Sequence, residues 1–123
     1  LANTAWAFST AGYVRGQAGT RVFEALADAA MASIVNFECQ HLAITAWAFA
    51  TAEVPSPELF ARIAAATQWR SVDFNTQTLA NTAWAFATAG VSAPALFRAV
   101  GNSAVEKMDD FNTQELANLA AAC

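Results

Sequence analysis

The stretch Leu79-Ala80-Asn81-Thr82-Ala83-Trp84-Ala85-Phe86 decides the fold, because the chain repeats it. The same eight letters stand at residues 1–8 and, with Ile44 in place of Asn, at residues 42–49; a fourth copy begins at Leu116. The offsets between successive copies are 41, 37 and 37 residues. A self-similarity with a period of this length is typical of helical-repeat arrays, in which each unit is one supersecondary structure.

The phenylalanines test this register independently, because all nine fall at three equivalent positions of the repeat: Phe8, Phe49 and Phe86; Phe23, Phe60 and Phe97; Phe37, Phe74 and Phe111. The first copy has four extra residues between Gly12 and Phe23, which predicts an enlarged loop there. We therefore interpret the chain as one domain, a single array of units 1–37, 38–74 and 75–111 with a partial unit 112–123.

Each unit is predicted to be a pair of helices. In the third unit, Asn75 is a good N-cap for a first helix over 76–89, and Gly90 supplies the left-handed stop. Ser56-Pro57-Glu58 marks the start of the second helix in the second unit, which extends to about Arg70. Equivalent second helices are predicted over about 20–35 and 94–108. Because no segment alternates with a period of two, no sheet is expected.

The predicted fold is all-α: an α-solenoid of stacked antiparallel helix pairs, with a repeat of about 37–41 residues and seven helices. On a helical wheel one arc of the first helix is apolar: Leu79, Ala80, Ala83, Trp84, Phe86 and Ala87. We expect Trp84→Ala to cost about 3–5 kcal/mol through an unfilled cavity. Trp69 lies outside the repeat pattern, and partial burial against a neighbour is expected for it. Since the chain starts and ends inside a repeat, we expect it to be a fragment of a longer protein.

Composition narrows the function. The chain is 56% hydrophobic and only 13% charged, with a formal net charge of -4. This composition excludes a disordered chain. The sequence contains no run of about 20 apolar residues, so it predicts no membrane span. Two cysteines and one histidine, His41, are too few for a disulfide framework or a zinc cage, so a reduced intracellular protein without metal or cofactor is expected. No catalytic triad, carboxylate pair or phosphate loop occurs, so we expect neither an enzyme nor a small-molecule substrate.

The motif Phe-Asn-x-Gln-x-Leu-Ala-Asn-x-Ala-Trp-Ala-Phe resembles the octotricopeptide repeat and the related helical repeats of FAST-kinase-domain-like and RAP-domain proteins. The resemblance covers essentially the whole chain. It implies an organellar factor, mitochondrial or chloroplast, that binds RNA and affects its processing, stability or translation, although no targeting segment is present in this chain. The Pro-Pro-Pro-Glu-Trp hallmark of octotricopeptide repeats survives only as residues 55–59, Pro-Ser-Pro-Glu-Leu, and no RAP domain is present.

The wheel leaves a row of small side chains opposite the apolar arc, which we call the amide ladder. Its members are Asn3, Thr10, Gln40, Ile44, Thr51, Gln77, Asn81, Thr88, Gln114 and Asn118; Ala7, Ala48 and Ala85 are predicted on the same face. Helical-repeat proteins read about one base per repeat with two or three side chains, and an amide both donates and accepts toward a base edge. The same residues also fit a plain solvated surface, or hydrogen bonds between repeats.

Charge sets two hypotheses against each other. Lys and Arg contacts to phosphates dominate nucleic-acid affinity, yet the first helix of every unit lacks a basic residue and ten acidic residues outnumber six basic ones. The first hypothesis is a module that binds single-stranded RNA. The alternative is a protein–protein interaction scaffold without nucleic-acid binding, and a structural spacer is a third possibility. In each case the partner is a macromolecule and not a membrane.

Overall fold

The computed structural model describes residues 17–122, with side chains described from Arg21 onward. Over these residues the chain forms six α-helices and no strand. The helices are α1 (Gln17–Ser33), α2 (Cys39–Ala52), α3 (Pro57–Arg70), α4 (Thr76–Ala89), α5 (Pro94–Glu106) and α6 (Thr113–Ala122). Short 3-10 turns follow α1, α3 and α5, at Ile34–Asn36, Ser71–Asp73 and Met108–Asp110. The all-helical prediction is confirmed; the first of the seven predicted helices, with Asn3 and Thr10, lies outside the described residues.

Local capping explains why these helices begin where they do. The side chain of Asn75 accepts a hydrogen bond from the backbone N–H of Thr78 at 2.8 Å, as expected of an N-cap. Asn112 and Glu115 form a reciprocal capping box at the start of α6, with N···O distances of 2.8 and 3.0 Å. In the second unit the corresponding pair is Glu38 and His41, and the Nδ1 atom of His41 accepts the Glu38 backbone N–H at 3.2 Å.

The helices pack in two layers. The first helices of the units, α2, α4 and α6, lie side by side; we call them the A helices, and α4 contacts both of the others extensively. The second helices, α1, α3 and α5, are the B helices and form the other layer, in which α3 contacts α1 and α5. Within a unit the two layers also touch, since α2 contacts α3 and α4 contacts α5. An A helix in mid-array is therefore covered by neighbours on both flanks and by the B layer beneath it.

Aromatic contacts between the layers join consecutive units. Phe60 of α3 packs edge-on against Phe86 of α4, with ring centroids 5.0 Å apart. Phe23 of α1 packs on Phe49 of α2 in the same way, also at 5.0 Å. Each contact links the B helix of one unit to the A helix of the next, and all four rings are almost completely buried. Because neither unit buries these rings alone, the core forms only when units stack.

Two cations also connect neighbouring units. Arg70, at the end of α3, donates to the backbone carbonyl of Phe37 in the preceding unit. Lys107 stands 37 positions later, just after α5, and its Nζ atom donates to the carbonyls of Val72, at 2.9 Å, and Phe74. In both units a basic side chain therefore satisfies carbonyls of the B-to-A connection before it. We call this contact the cation clamp.

The structure corrects the predicted core in three places. Trp84 is half-buried and not fully buried, and Ala87 is exposed, although both lie in the predicted apolar arc. Ala48 and Ala85, predicted on the open face, are fully buried because the neighbouring A helices cover the flanks of the stripe. Trp69 is 88% exposed, so the expectation that it is partly buried is wrong. Among the described residues, no helix is both long and apolar enough to cross a membrane.

Candidate nucleic-acid interface

One narrow stripe of α2 and one of α4 remain uncovered. In α4 it consists of Gln77, Asn81, Trp84 and Thr88, which follow one another at helical spacings of four, three and four residues. Gln77 and Thr88 are exposed, whereas Asn81 and Trp84 are half-buried. The equivalent stripe of α2 has the same pattern: Gln40 and Thr51 are exposed, and Ile44 and Trp47 are half-buried. The amide ladder therefore lies on the free face of the A layer, and a tryptophan shares that face with it.

A groove between α2 and α4 brings two of these stripes together. It has a volume of about 340 Å³. Its lining residues are Gln40, Ala43, Ile44, Trp47, Asn75, Gln77, Thr78 and Asn81. The ladder residues Gln40, Ile44, Gln77 and Asn81 thus face one shared space, which we call the inter-repeat groove.

Sequence reasoning missed Trp47 as a site residue. Its apolar character favoured a place in the core, but it stands seven residues after Gln40 and three after Ile44, so it belongs to the same helical face. This spacing was the available signal. An indole on the wall of a groove lined by amides can stack on a planar ligand while the amides bond to its edge.

The other predicted ladder residues do not join this groove. Thr51 and Thr88 are exposed near the opposite ends of α2 and α4. Thr88 instead lines a second, larger space of about 690 Å³, between the loops that follow these two helices. Gln114 is exposed and Asn118 is half-buried on α6. Asn3 and Thr10 lie outside the described residues.

The polar side chains of the inter-repeat groove differ in their availability. Asn75 is committed to capping α4, since its side chain accepts from both the backbone N–H and the hydroxyl of Thr78. Gln77 is exposed on the first turn of α4, and Asn81 is half-buried one turn further on. The amides best placed to meet a ligand are therefore Gln77 and Asn81 on one wall and Gln40 on the other.

Among the described residues, those that line the inter-repeat groove include no cation. Arg70 and Lys107 donate to backbone carbonyls in the cation clamp. Arg62 lies on the B layer, where it pairs with Glu58 of the same helix at 3.3 Å. The groove can therefore bind a neutral planar group by stacking and hydrogen bonding, but it cannot neutralise a phosphate.

Histidine and cysteine are common catalytic and metal-binding residues, and the chain has both near the start of α2. His41 caps α2 through Nδ1, and its ring packs edge-on against Phe37 at 5.8 Å. Cys39 is a free, half-buried thiol in the first turn of the same helix. Within residues 17–122, no group of three or more histidine, cysteine, aspartate or glutamate side chains could hold a metal ion.

These features define an all-helical repeat protein with a neutral, amide-lined groove on one face. The family described as RNA-editing substrate-binding complex 6 protein matches residues 2–122. The chain therefore belongs to the RNA-editing substrate-binding complex 6 family. No curated protein matches the chain significantly. Membership of this family supports RNA processing as the setting of the chain, and the resemblance to octotricopeptide and FAST-kinase-like repeats stays a prediction.

Proposed function

We propose that this chain binds single-stranded RNA in an RNA-editing substrate-binding assembly, through the inter-repeat groove. The observation that carries the proposal is the position of Trp47 beside the amides of two adjacent A helices. Family membership points to the same class of ligand. The role is one of binding and positioning RNA, and not of catalysis.

In the proposed complex one unstacked base enters the inter-repeat groove. Its face stacks on the Trp47 indole, and its edge meets the side chains of Gln77 and Asn81. Amides suit this task because they offer a donor and an acceptor to a base edge. Stacking on an aromatic side chain contributes about 1–3 kcal/mol per base and tolerates different bases.

The finer parts of the proposal concern architecture and setting. The two-layer packing of α1–α6 supports an α-solenoid of antiparallel helix pairs, in which each inter-repeat groove accepts one base. The resemblance to octotricopeptide repeats supports a mitochondrial or chloroplast setting for such a module. Because no cation lines the groove, we expect weak binding with a shallow dependence on salt.

The test is a titration of the chain with a pool of labelled single-stranded RNA at several salt concentrations. Gln77→Ala with Asn81→Ala should weaken binding by about tenfold or more, because each good base contact contributes about 1–3 kcal/mol. The matched control is Gln68→Ala with Asn102→Ala, which removes the same two amide types from exposed positions on the B helices. Equal affinities for the two double variants would exclude the groove as the RNA site.

A second candidate is a protein–protein interaction scaffold that does not bind nucleic acid. The observation that favours it is the lack of any cation in the inter-repeat groove, together with the acidic net charge of the chain. The same variants separate the two functions. If no RNA binds at any salt concentration, and the Gln77→Ala, Asn81→Ala variant loses a protein partner, the groove serves proteins.

A further inference from the structure

A second surface of the molecule is exposed and apolar, and it has no part in the inter-repeat groove. Val35, Trp69, Val72 and Val105 are 86%, 88%, 69% and 71% exposed. They lie where B helices end and lead into the next A helix. We call these four side chains the turn-edge patch. Isolated exposed apolar residues are ordinary, but a group of them that includes a tryptophan is typical of an interaction site.

The cation clamps hold the segments that carry the turn-edge patch next to one another. Arg70 follows Trp69 and donates to the carbonyl of Phe37, which brings the end of α3 beside the turn that contains Val35. Lys107 donates to the carbonyl of Val72 itself at 2.9 Å, which brings the end of α5, with Val105, beside the next turn. The patch therefore runs from one unit to the next along this edge.

Two members of the turn-edge patch are related by the repeat. Val35 and Val72 occupy equivalent positions 37 residues apart, each in the middle of its 3-10 turn. Such a position is exposed because the turn points its central side chain away from the two helices that it connects. The first two turns thus present an apolar side chain at this position, whereas the third presents Asp109.

The charge around the turn-edge patch is acidic. Four exposed carboxylates lie in the same turns and helix ends: Asp73, Glu106, Asp109 and Asp110. The two cations in these segments, Arg70 and Lys107, point their charged groups at backbone carbonyls. An apolar strip flanked by carboxylates is complementary to a segment that carries both apolar and cationic side chains.

We propose that the turn-edge patch docks a protein partner through an amphipathic helix with apolar residues on one face and lysines and arginines beside them. Trp69 is the main anchor, since exposed tryptophans that become buried dominate interface energetics. The carboxylates orient the helix and accelerate its association. The same carboxylates repel phosphates, so this edge is not an RNA site. One chain can therefore hold RNA on its A layer and a basic protein segment on its turn edge.

The experiment measures binding of a labelled synthetic amphipathic helix with leucines on one face and lysines and arginines on the other. The reference peptide has glutamates at the cationic positions. The 123-residue chain should bind the cationic peptide at least about tenfold more tightly than the reference. Trp69→Ala with Val72→Ser should weaken that binding by about tenfold or more. Asp109→Asn with Asp110→Asn should weaken it and flatten its salt dependence.

The matched control is Glu24→Gln with Asp28→Asn, which removes two exposed carboxylates from α1 and should leave peptide binding unchanged. Equal affinity for the two peptides would overturn the proposal, and so would unchanged binding by the Trp69→Ala, Val72→Ser variant. Loss of RNA binding in that variant, with the peptide affinity intact, would assign Trp69 to RNA instead. The charge variants provide an independent result if the apolar variant fails to fold.

Discussion

The two aromatic residues of the A-helix motif have different environments although they are two positions apart. Phe86 is completely buried and packs edge-on against Phe60 between the two layers. Trp84 is half-buried on the free stripe. Two positions on a helix differ by about 200° around its axis, so the motif directs its phenylalanine inward and its tryptophan outward. The phenylalanine packs between the two layers, and the tryptophan lies on the free face of the A layer.

This difference predicts unequal costs of truncation. Phe86→Ala should reduce the free energy of unfolding by about 3–5 kcal/mol, because it leaves a cavity between α3 and α4. Trp84→Ala should cost clearly less, because solvent already reaches the indole. Trp69→Ala should change stability by less than about 0.5 kcal/mol, since that side chain is almost wholly exposed. Urea unfolding of the three variants measures the order, and equal losses for Phe86 and Trp84 would contradict it.

The sequence predicts burial well at some residues and poorly at others. Leu79 and Phe86 belong to the predicted apolar arc, and both are completely buried. Trp84 misleads, because an apolar side chain at the margin of the arc fits either the core or an aromatic ligand site. Thr45 and Thr82 show the opposite error: they are polar, yet both are buried with hydroxyls that have no hydrogen-bond partner in the described structure. Contacts between helices decide whether these side chains are buried. The hydrophobic pattern of a single helix carries no information about such contacts.

At the scale of the helix, α2 and α4 are followed by residues in the same backbone conformation but of different types. Gly90 ends α4 in the left-handed region, with φ 70°, and its backbone N–H bonds to carbonyls of the last turn. Glu53 occupies the equivalent place after α2, with φ 59°. A side chain strains this conformation, whereas glycine adopts it freely. The second unit therefore carries backbone strain that the third unit avoids.

Exchange of these residue types should move stability in opposite directions. Gly90→Ala should destabilise the chain by about 1 kcal/mol through backbone strain alone, since a Cβ atom there would meet no neighbour within 4 Å. Glu53→Gly should stabilise it by about 0.5–1 kcal/mol, the relieved strain being partly offset by the greater freedom of glycine in the unfolded chain. Thermal unfolding of both variants measures the changes. A shift of the same sign in both would contradict the comparison.

Helix boundaries follow the sequence closely where caps are strong. The helix predicted over 76–89 is α4 itself, and the one predicted from Pro57 to Arg70 is α3. The prediction over 94–108 is too long, because α5 ends at Glu106 and a 3-10 turn takes up the next residues. The prediction over 20–35 fails in the same way at its end. These turns have no capping letter of their own; each connects the end of a B helix to the A helix that follows it.

In the whole molecule, the repeat predicts the helices, and the cation clamps engage two of the few basic residues. The contacts of Arg70 and Lys107 with backbone carbonyls each span more than 30 residues of sequence. The net charge of -4 is evidence against a phosphate-binding surface. The cation clamp adds to this evidence, because two of the six basic residues are bound to backbone carbonyls. The amide ladder was predictable from the wheel, because periodicity alone shows which face is polar. The inter-repeat groove and the turn-edge patch were not, since both depend on contacts between units.

The clamp leads to a prediction that separates stability from RNA binding. Lys107→Met keeps the apolar part of the side chain and removes the ammonium group, so the carbonyls of Val72 and Phe74 lose a charged donor. The free energy of unfolding should fall by about 1.5–3 kcal/mol, the range for hydrogen bonds to charged groups. The logarithmic salt slope of RNA binding should stay the same, whereas loss of a phosphate contact would lower it by about 1.

Arg98→Met is the control, because it removes an exposed cation from α5 with the same change of charge. It should alter stability by less than about 0.5 kcal/mol. A reduced salt slope for Lys107→Met with unchanged stability would show that this lysine contacts RNA and does not clamp the repeats.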